Sequence, residues 1–420
     1  YILNHRFNDD WSFSTRGRYD DIKTTYRSVV NTGVYDSPDG VSGPMLSRYS
    51  YGAAEHNHNL AFDSQFKGHV RTGPLKHTLM VGFDYMQQKS IDKEIMGSAP
   101  DLDVVNPNYN MVIPNDMEPT ENYYTNSQQI GTYAQDEIRW HRFIVTGSLR
   151  HDWYNAHRIH SIAQTDEKQS DSKITWRASG LYHFDFGLAP YISYSTSFQP
   201  QTGNVANPDG VTTRQASPSM GKQLEGGLKY QLPGAPVLLT AAGFHIEQSN
   251  VLVLIPNTDK YSQSGLVHSD GFEFEAHAEP FHNLMLTAAV SVQKIKDDST
   301  GKPVTQTARG NASLFACYTM PSGRFKGFGF GGGMRYTAKT YGGELAEGSV
   351  WLPQYALFDA SIAYDMSNLS SSFKGWKVSA NVRNLFDKDY VANCYADGDV
   401  GGNCYFGERR NAQASIGYSW

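Results

Sequence analysis

Residue types that commonly do enzymatic chemistry occur in this sequence without the spacings that catalysis requires. The chain has no Gly-x-Ser-x-Gly, His-Glu-x-x-His, Walker or Cys-x-x-Cys pattern. His56 and His58 are two residues apart, which puts two imidazoles on one face of a strand and suits a metal ion. Two ligands without nearby partners make a weak site. We therefore interpret His56 and His58 as residues that line a lumen or the base of a loop.

The three cysteines offer covalent chemistry of another kind. Cys394 and Cys404 lie within one predicted loop, so a local disulfide between them can form in an oxidising compartment. Closing a loop of about 11 residues contributes roughly 2–3 kcal/mol in the chain-entropy model. Cys317 lies in the strand-like segment 312–318 and is interpreted as a small apolar residue, buried or facing lipid.

The composition excludes several classes of protein. A formal net charge of −6, with no cluster of Lys and Arg, argues against a nucleic-acid surface. The mean hydropathy is −0.50, and no run of about 18 apolar residues exists, which excludes transmembrane helices. A membrane barrel is not excluded, because barrel strands need only about 9–11 residues and expose every second one to lipid. The 26 Tyr, the 39 Gly and the uniform composition of the 420 residues favour one continuous β architecture.

The hydropathy pattern predicts about 17 β-strands. Apolar residues at every second position, as in 376–382 and 412–420, put apolar side chains on one face of a strand and polar ones on the other. The predicted strands are 1–7, 11–27, 54–70, 76–90, 123–139, 142–157, 172–184, 188–198, 220–231, 236–248, 264–278, 284–296, 306–320, 325–339, 354–366, 375–387 and 408–420.

The connections between predicted strands alternate in length. They are short after every odd-numbered strand, as at 140–141, and mostly long after every even-numbered one, as at 91–122 and 388–407. This alternation is typical of bacterial outer-membrane barrels, which have tight periplasmic turns and long external loops. It predicts that Tyr1 lies at the outer rim. Because such barrels have even strand numbers, an odd count predicts either that strands are missing from this sequence or that one strand has no recognisable pattern.

Aromatic residues near the ends of predicted strands favour an interfacial girdle, in which an apolar ring carries a polar tip. These residues are Trp11, Tyr133, Trp140, Trp153, Tyr336, Tyr418 and Trp420.

Several motifs are similar to those of a known family. They are Asn384-Leu385-Phe386-Asp387 with Tyr390, the Cys394 and Cys404 pair, Gly407-Glu408-Arg409, a last strand that ends in an aromatic residue, and the segments 194–200, 218–225 and 271–275. In these motifs the chain resembles TonB-dependent outer-membrane receptors over essentially its whole length. The cysteine pair is most similar to that of ferric-hydroxamate siderophore receptors of the ferrichrome and ferrioxamine kind.

The resemblance implies an all-β fold, a transmembrane antiparallel β-barrel of about 22 strands. We expect residues 1–420 to be the C-terminal part of a single barrel domain, with the N-terminal plug and the first strands absent from this sequence. Gly331-Gly332-Gly333 is followed by no helix start, so we interpret it as room for something pressed against the inner wall, such as the plug, or as strand curvature.

The resemblance also implies a function. It places the protein in the outer membrane of a Gram-negative bacterium, in contact with lipopolysaccharide, as a receptor for a ferric siderophore. Uptake would be energised by TonB through the absent N-terminal region. We expect no enzymatic activity and no nucleic-acid partner.

A ferric siderophore satisfies Fe³⁺ with its own oxygens, so its receptor needs no cofactor and no metal ligands. It needs a concave, aromatic-lined surface with a few hydrogen-bond donors. The resemblance puts Tyr395 and Met96 where ferrichrome-type receptors have aromatic contacts. We expect a disulfide beside Tyr395 to hold its ring over the lumen.

One loop departs from the ferrichrome pattern. Where ferrichrome receptors have a pair of tyrosines, this chain has Val30 and Thr32. Tyr26 and Tyr35 flank these positions, and we interpret them as replacement contacts. The departure leaves ferrioxamine-like, coprogen-like and other ligands open.

Two other functions fit an outer-membrane barrel. A passive diffusion porin would conduct ions and show little affinity for a ligand. A rim-active hydrolase would use Asp, His and Ser side chains of the loops, which are too abundant here to single out a set. A phage or a bacteriocin is a further partner that could use the loops of such a receptor.

Overall fold

The structure is a computed structural model that describes residues 1–37, 43–201, 204–206, 213–254, 261–397 and 401–420. Parts of the predicted loops 28–53, 199–219 and 388–407 therefore lie outside the described residues. The described chain is almost entirely β-strand, with two short 3₁₀ helices, Met366–Asn368 and Ser371–Phe373. No described helix is long and apolar enough to cross a membrane.

The strands are β1 Ile2–Arg6, β2 Trp11–Tyr35, β3 Met45–Thr72, β4 Leu75–Ser98, β5 Leu102–Asp103, β6 Glu118–Trp140, β7 Phe143–His160, β8 Thr165–Tyr182, β9 Leu188–Gln199, β10 Asn204–Ala206, β11 Thr213–Gln215, β12 Ser219–Gln231, β13 Val237–Leu254, β14 Tyr261–Phe281, β15 Leu284–Asp297, β16 Thr307–Ala308, β17 Gly310–Thr319, β18 Phe328–Thr337, β19 Thr340–Leu345, β20 Gly348–Leu352, β21 Tyr355–Asp365, β22 Trp376–Arg383, β23 Val391–Asp397, β24 Gly401–Phe406 and β25 Asn411–Tyr418.

A single antiparallel sheet of 18 strands makes up most of the molecule. Its members pair in chain order, from β1 with β2 to β22 with β25. One of them, β5, is a two-residue strand paired with the outer end of β3. The other 17 of the 18 correspond one for one to the predicted strands. The predicted all-β, antiparallel fold is confirmed.

The two edges of this sheet are β1 and β25, which do not pair with each other in the described part of the chain. Tyr1 lies opposite Gly17, whose N–H donates to the Tyr1 carbonyl at 3.0 Å. Since β2 continues to Tyr35, Tyr1 lies far from the outer end of that strand. The prediction that Tyr1 lies at the outer rim is wrong, because β1 pairs only with residues 12–16 of β2, next to the tight turn.

The two faces of the sheet differ in chemistry. On one face, Val81 of β4 lies between Phe66 of β3 and Ala134 of β6, and 53% of Val81 is exposed. On the other face, Arg150 of β7 bonds to Asp84 and Asp152 through five short contacts. A sheet with exposed apolar residues outside and paired charges inside suits a barrel wall between lipid and a wet lumen. We call these the outward and inward faces.

The two ends of the sheet also differ. Tight turns join the strands at one end, the turn end. Asn283, in the turn between β14 and β15, has a φ of 68°, and its N–H donates to the Glu279 carboxylate at 2.9 Å. Gly187, between β8 and β9, has a φ of 96°, and a Cβ there would lie 1.9 Å from the Gln231 carbonyl oxygen. Only glycine fits that turn.

Long connections lie at the other end, the loop end, where a second sheet forms from β16, β19, β20, β23 and β24. Buried side chains gather in it, including Tyr341, Leu352 and Cys394. The segment 388–407, predicted as a loop, contains the β23–β24 hairpin, and its Asn403 contacts Asn31 near the end of β2. As predicted, this excursion lies away from the tight turns.

Two smaller predictions need correction. Tyr133 is not part of an outward girdle, because it lies on the inward face and its hydroxyl donates to Asp63 at 2.7 Å. The Gly331-Gly332-Gly333 run makes room for the chain itself. A Cβ at Gly331 or Gly333 would come within 2.9 or 2.5 Å of the Phe315 ring, so this ring fills the space that we assigned to a plug, and strand curvature stays a prediction.

Candidate functional site

The Asn384-Leu385-Phe386-Asp387 motif ends β22 and anchors the loop that carries the cysteines. Asn384 is 2% exposed and has a φ of 48°. Its side chain donates to the carbonyls of Lys388 at 2.9 Å and Glu408 at 3.1 Å, and it accepts from the Lys388 N–H at 2.9 Å. One buried amide therefore joins both ends of the 388–407 segment. Asparagine tolerates the left-handed conformation better than other side chains of its size.

Asp387 and Arg409 close the same loop with charge. The Arg409 guanidinium donates to both Asp387 oxygens, at 3.0 and 2.8 Å, and also contacts Asp389. The hydrogen bonds from Arg409 hold the pKa of the Asp387 carboxyl well below its usual range. The motif 384–387 thus holds the base of the hairpin at two points, through the Asn384 amide and through the Asp387–Arg409 ion pair. We call this arrangement the clamp.

The disulfide between Cys394 and Cys404 is present, and it joins directly opposed residues of β23 and β24. Tyr395, the next residue, lies opposite Asn403. The Asn31 side chain of β2 donates to the Asn403 side chain at 3.4 Å. The hairpin therefore holds Tyr395 beside the loop end of β2, at a position where a ligand could reach its ring.

Two other predicted contacts come together on the inward face of the long strands. Tyr26 of β2 lies next to Tyr51 of β3, with ring centroids 6.1 Å apart. Tyr51 is directly opposite Met96 of β4. Each lies an even number of residues from an inward-facing position of its own strand, Asp84 in β4, Asp63 in β3 and Arg16, the partner of Asp63, in β2. All three side chains therefore face inward. Tyr51, which the sequence analysis did not single out, thus joins Tyr26 and Met96 into one surface.

The same surface continues onto β6 through Tyr123, which is in register with Asp92 of β4. The Arg158 guanidinium lies 3.8 Å from the centre of the Tyr123 ring, and the His160 ring stacks on it at 4.1 Å. Polar groups alternate with the rings, since Glu94 faces Glu121 across the strands. We call Tyr26, Tyr51, Met96 and Tyr123 the inner aromatic patch.

Two hydroxyls of the inner aromatic patch, those of Tyr51 and Tyr123, are held in the neutral form. Burial, with a hydrogen bond to Glu94, raises the pKa of Tyr51. Burial also raises the pKa of Tyr123, which bonds to Glu121. A neutral phenol donates a hydrogen bond and offers an apolar ring, which is what a neutral oxygen-rich ligand needs.

Tyr35 lies apart from the inner aromatic patch. It ends β2, nine positions beyond Tyr26, which corresponds to about 30 Å of extended strand. Its hydroxyl donates to Asp101 at 2.5 Å, and that hydrogen bond raises the pKa of Tyr35. Tyr35 thus belongs to a polar cluster with Arg48, whose side chain donates to the Pro100 carbonyl at 2.8 Å.

A cavity of about 470 Å³ lies where β15 meets the second sheet. Arg309 lies over the Trp351 ring at 4.4 Å, and both line the cavity with Lys294 and Lys296. Burial raises the pKa of Tyr341, another lining residue, to about 12. This cationic and aromatic pocket was missed by sequence analysis, because residues 339–353 carry no alternation.

His56 and His58 do not line the lumen or the base of a loop. They lie on the outward face with Asp21, and their side-chain nitrogens and the Asp21 carboxylate are within 4.8 Å of one another. The interpretation as lumen or loop-base residues is wrong, because the strand register turns both side chains outward. The third polar partner comes from β2 and could not be found from the histidine spacing alone.

The fold and these sites define an outer-membrane β-barrel of the receptor type. The sequence profile described as "TonB dependent receptor-like, beta-barrel" matches residues 1–385. The chain belongs to this family of outer-membrane transport receptors.

Curated relatives cover the whole chain. It is 31% identical over 430 aligned positions to the ferrioxamine B receptor of Salmonella typhimurium, covering 100% of this chain and 58% of that protein. It is 30% identical to the ferrichrome outer membrane transporter/phage receptor of Escherichia coli K12, covering 99% of this chain and 57% of that protein. The chain therefore spans somewhat more than half the length of these relatives.

Solved structures show the same fold. The ferripyoverdine receptor of the Pseudomonas aeruginosa outer membrane superposes with a TM-score of 0.82 at 18% identity, over 99% of this chain and 55% of that one. The ferric-catecholate import receptor of E. coli K12, in its closed form, gives a TM-score of 0.81 at 20% identity, over 99% and 62%.

Proposed function

We propose that this chain forms the barrel wall of an outer-membrane receptor that takes up ferric hydroxamate siderophores. The observation that carries this proposal is the similarity of this whole chain to part of the ferrioxamine and ferrichrome receptors, at 28–31% identity. The inner aromatic patch gives the proposal a physical basis. It presents rings and neutral hydroxyls on the inward face, nearer the loop end than the exposed apolar residues of the outward face such as Val81. An enzymatic role is not part of the proposal.

In this proposal the siderophore lies between the inner aromatic patch and Tyr395. The rings of Tyr26 and Tyr51 cover the apolar parts of the ligand at a low cost in side-chain entropy, since each has only two rotatable bonds. The Tyr26 hydroxyl donates to a carbonyl oxygen of the hydroxamates, whereas Glu94 already accepts from the Tyr51 hydroxyl, so Tyr51 contributes its ring. The iron stays bound to the siderophore, so no protein group needs to ligate it. Tyr35 is left out, because Asp101 already occupies its hydroxyl.

We further propose that residues 1–420 are the C-terminal part of one barrel domain, and that a plug and further strands come from sequence outside this range. Coverage of 57–58% of the curated relatives supports this. The two edge strands β1 and β25 support it too. Each has one edge whose backbone groups pair with no other strand of the described residues. TonB would then act on the segment outside this chain, and ligand uptake in cells expressing only these residues would contradict the proposal.

The test is a titration of the full-length receptor with ferric hydroxamates, in which quenching of tryptophan fluorescence measures binding. Tyr51→Ala and Tyr395→Ala should each weaken binding about tenfold, or about 1.4 kcal/mol. Tyr19→Ala is the matched control, because Tyr19 is an exposed tyrosine on the outward face of β2 and should leave affinity unchanged.

Two results would contradict the proposed function. If neither Tyr51→Ala nor Tyr395→Ala changes affinity, the siderophore does not bind between the inner aromatic patch and Tyr395. If the full-length protein binds no ferric siderophore but conducts ions steadily in planar bilayers, the protein is a diffusion porin.

A further inference from the structure

We propose that Asp21, His56 and His58 form a binding site for a divalent transition-metal ion on the outward face of the barrel. This site is independent of the siderophore function, because it lies on the opposite face of β2 and β3 from the inner aromatic patch. Two imidazoles and one carboxylate are a ligand set that suits Zn²⁺, Ni²⁺ or Cu²⁺.

Strand register creates the site. Asp21 of β2 is directly opposite His58 of β3, and His56 lies two residues along the same strand. Residues two apart on a strand share a face, so the two imidazoles lie side by side, with ring centroids 4.1 Å apart. β3 is hydrogen-bonded to β2 on one side and to β4 on the other, so the backbone that carries the histidines is fixed before any ion arrives.

The distances fit an ion. The Asp21 carboxylate lies 2.8 Å from His56 Nε2 and 3.7 Å from His58 Nδ1. Ligand atoms about 2.0–2.2 Å from one metal ion are about 3–3.5 Å from each other, so small rotations of these side chains bring all three into coordination. His58 Nδ1 is also 3.3 Å from the Tyr19 hydroxyl, and an ion would replace that contact. The remaining coordination positions stay open to water.

The position of the site shows what can reach it. Tyr19 and Leu60 are the last apolar pair of the outward band, and Asp21 and His58 are the next pair beyond them. The three side chains are between 29% and 44% exposed, so a hydrated ion has access from outside the cell. Lys23 lies opposite His56, and Lys89 lies opposite His58. These two positive charges oppose the ion and limit its affinity.

The test is calorimetric titration of the detergent-solubilised protein with Zn²⁺ and with Ni²⁺ at neutral pH. We expect saturable binding that is absent from the His56→Ala/His58→Ala double variant. Each single histidine variant should weaken binding at least about tenfold.

His157→Ala is the matched control. The His157 side chain is 36% exposed and lies 2.8 Å from a carboxylate, that of Asp166, but no second imidazole lies beside it among the described residues. Its loss should leave the titration unchanged. The proposal is overturned if the double variant binds as much metal as the unmodified protein, or if His157→Ala weakens binding equally. Unchanged strand content by circular dichroism confirms that each variant has folded.

Discussion

The membrane-level part of the wall and its extension towards the loop end follow different rules. In β4 the outward side chains run Leu79, Val81, Phe83 and Tyr85, then change to Gln87 and Lys89 within the same strand. The inward side chains are mainly polar along the whole strand. Lipid therefore imposes the alternation on one part, whereas the other part is wet on both faces and is free to carry binding groups.

The largest effect we expect comes from placing a charge on the membrane-level outward face. Val81 is 53% exposed in the middle of the apolar band. Val81→Arg should destabilise the folded protein by about 2–4 kcal/mol, because the guanidinium would face lipid near the bilayer midplane. Urea unfolding in phospholipid vesicles measures this free energy.

Ile91→Arg gives the matched comparison, because Ile91 lies ten residues further along the same face of β4 and is 36% exposed. Its cost should be at most about 1 kcal/mol, as for charged residues near the interface. Equal costs at the two positions would show that the apolar band is not the lipid boundary.

This difference explains how much of the fold could be predicted. β9 was predicted as 188–198 and is Leu188–Gln199, because it hardly extends beyond the apolar band. β3 was predicted as 54–70 and is Met45–Thr72, because residues 45–53 have no lipid-facing side to produce alternation. The second sheet was missed for the same reason. Strand existence and order followed from the lipid pattern, and the extensions did not.

The next largest effect should come from the inward charge network of the wall. Arg150→Ala would leave Asp84 and Asp152 without their guanidinium partner. Breaking a fully buried pair costs about 3–5 kcal/mol, and partial exposure of Arg150 to the wet lumen lowers this to about 2–3 kcal/mol. The same urea experiment measures it, and Arg150→Lys should recover part of the loss by keeping the charge.

Arg158→Ala gives the corresponding measurement in the loop-end extension of the wall. Arg158 also faces inward, but it lies over the Tyr123 ring at the loop end. Its removal should cost about 0.5–1 kcal/mol, the usual range of an exposed cation–π contact. A larger cost for Arg158→Ala than for Arg150→Ala would mean that the extension, and not the wall, stabilises the fold.

The candidate site was only partly predictable. Tyr26 and Met96 were named from the sequence, and the structure places both beside Tyr51. Tyr51 and Tyr123 gave no signal, since a tyrosine in a polar strand can face either way. Asp21 was missed because its place beside His58 depends on the register of β2 against β3. Pairings across strands need the register, which a single sequence does not contain.

A smaller and more local effect is expected at the hairpin. Replacing Cys394 and Cys404 with Ser removes a cross-link between residues separated by 10 positions. The hairpin should open more easily by about 2 kcal/mol, while the unfolding free energy of the wall stays the same. Hydrogen exchange resolves the two regions, with faster exchange confined to β23 and β24. Faster exchange in β21 or β22 would contradict this local effect.

The smallest expected effect is pH-dependent and lies at the base of the same hairpin. Because Arg409 holds the pKa of Asp387 below its usual range, the folded clamp binds a proton less readily than the unfolded chain does. Its stabilisation is therefore fully present above about pH 4 and is lost as the pH falls further. Hydrogen exchange of Lys388 should be slower in the unmodified protein than in Asp387→Asn at neutral pH, and this difference should shrink in acid. In an Arg409→Ala background the pH dependence of the difference should largely disappear, since the guanidinium is the main cause of the shift. If it persists, the charge pair is not what closes the hairpin.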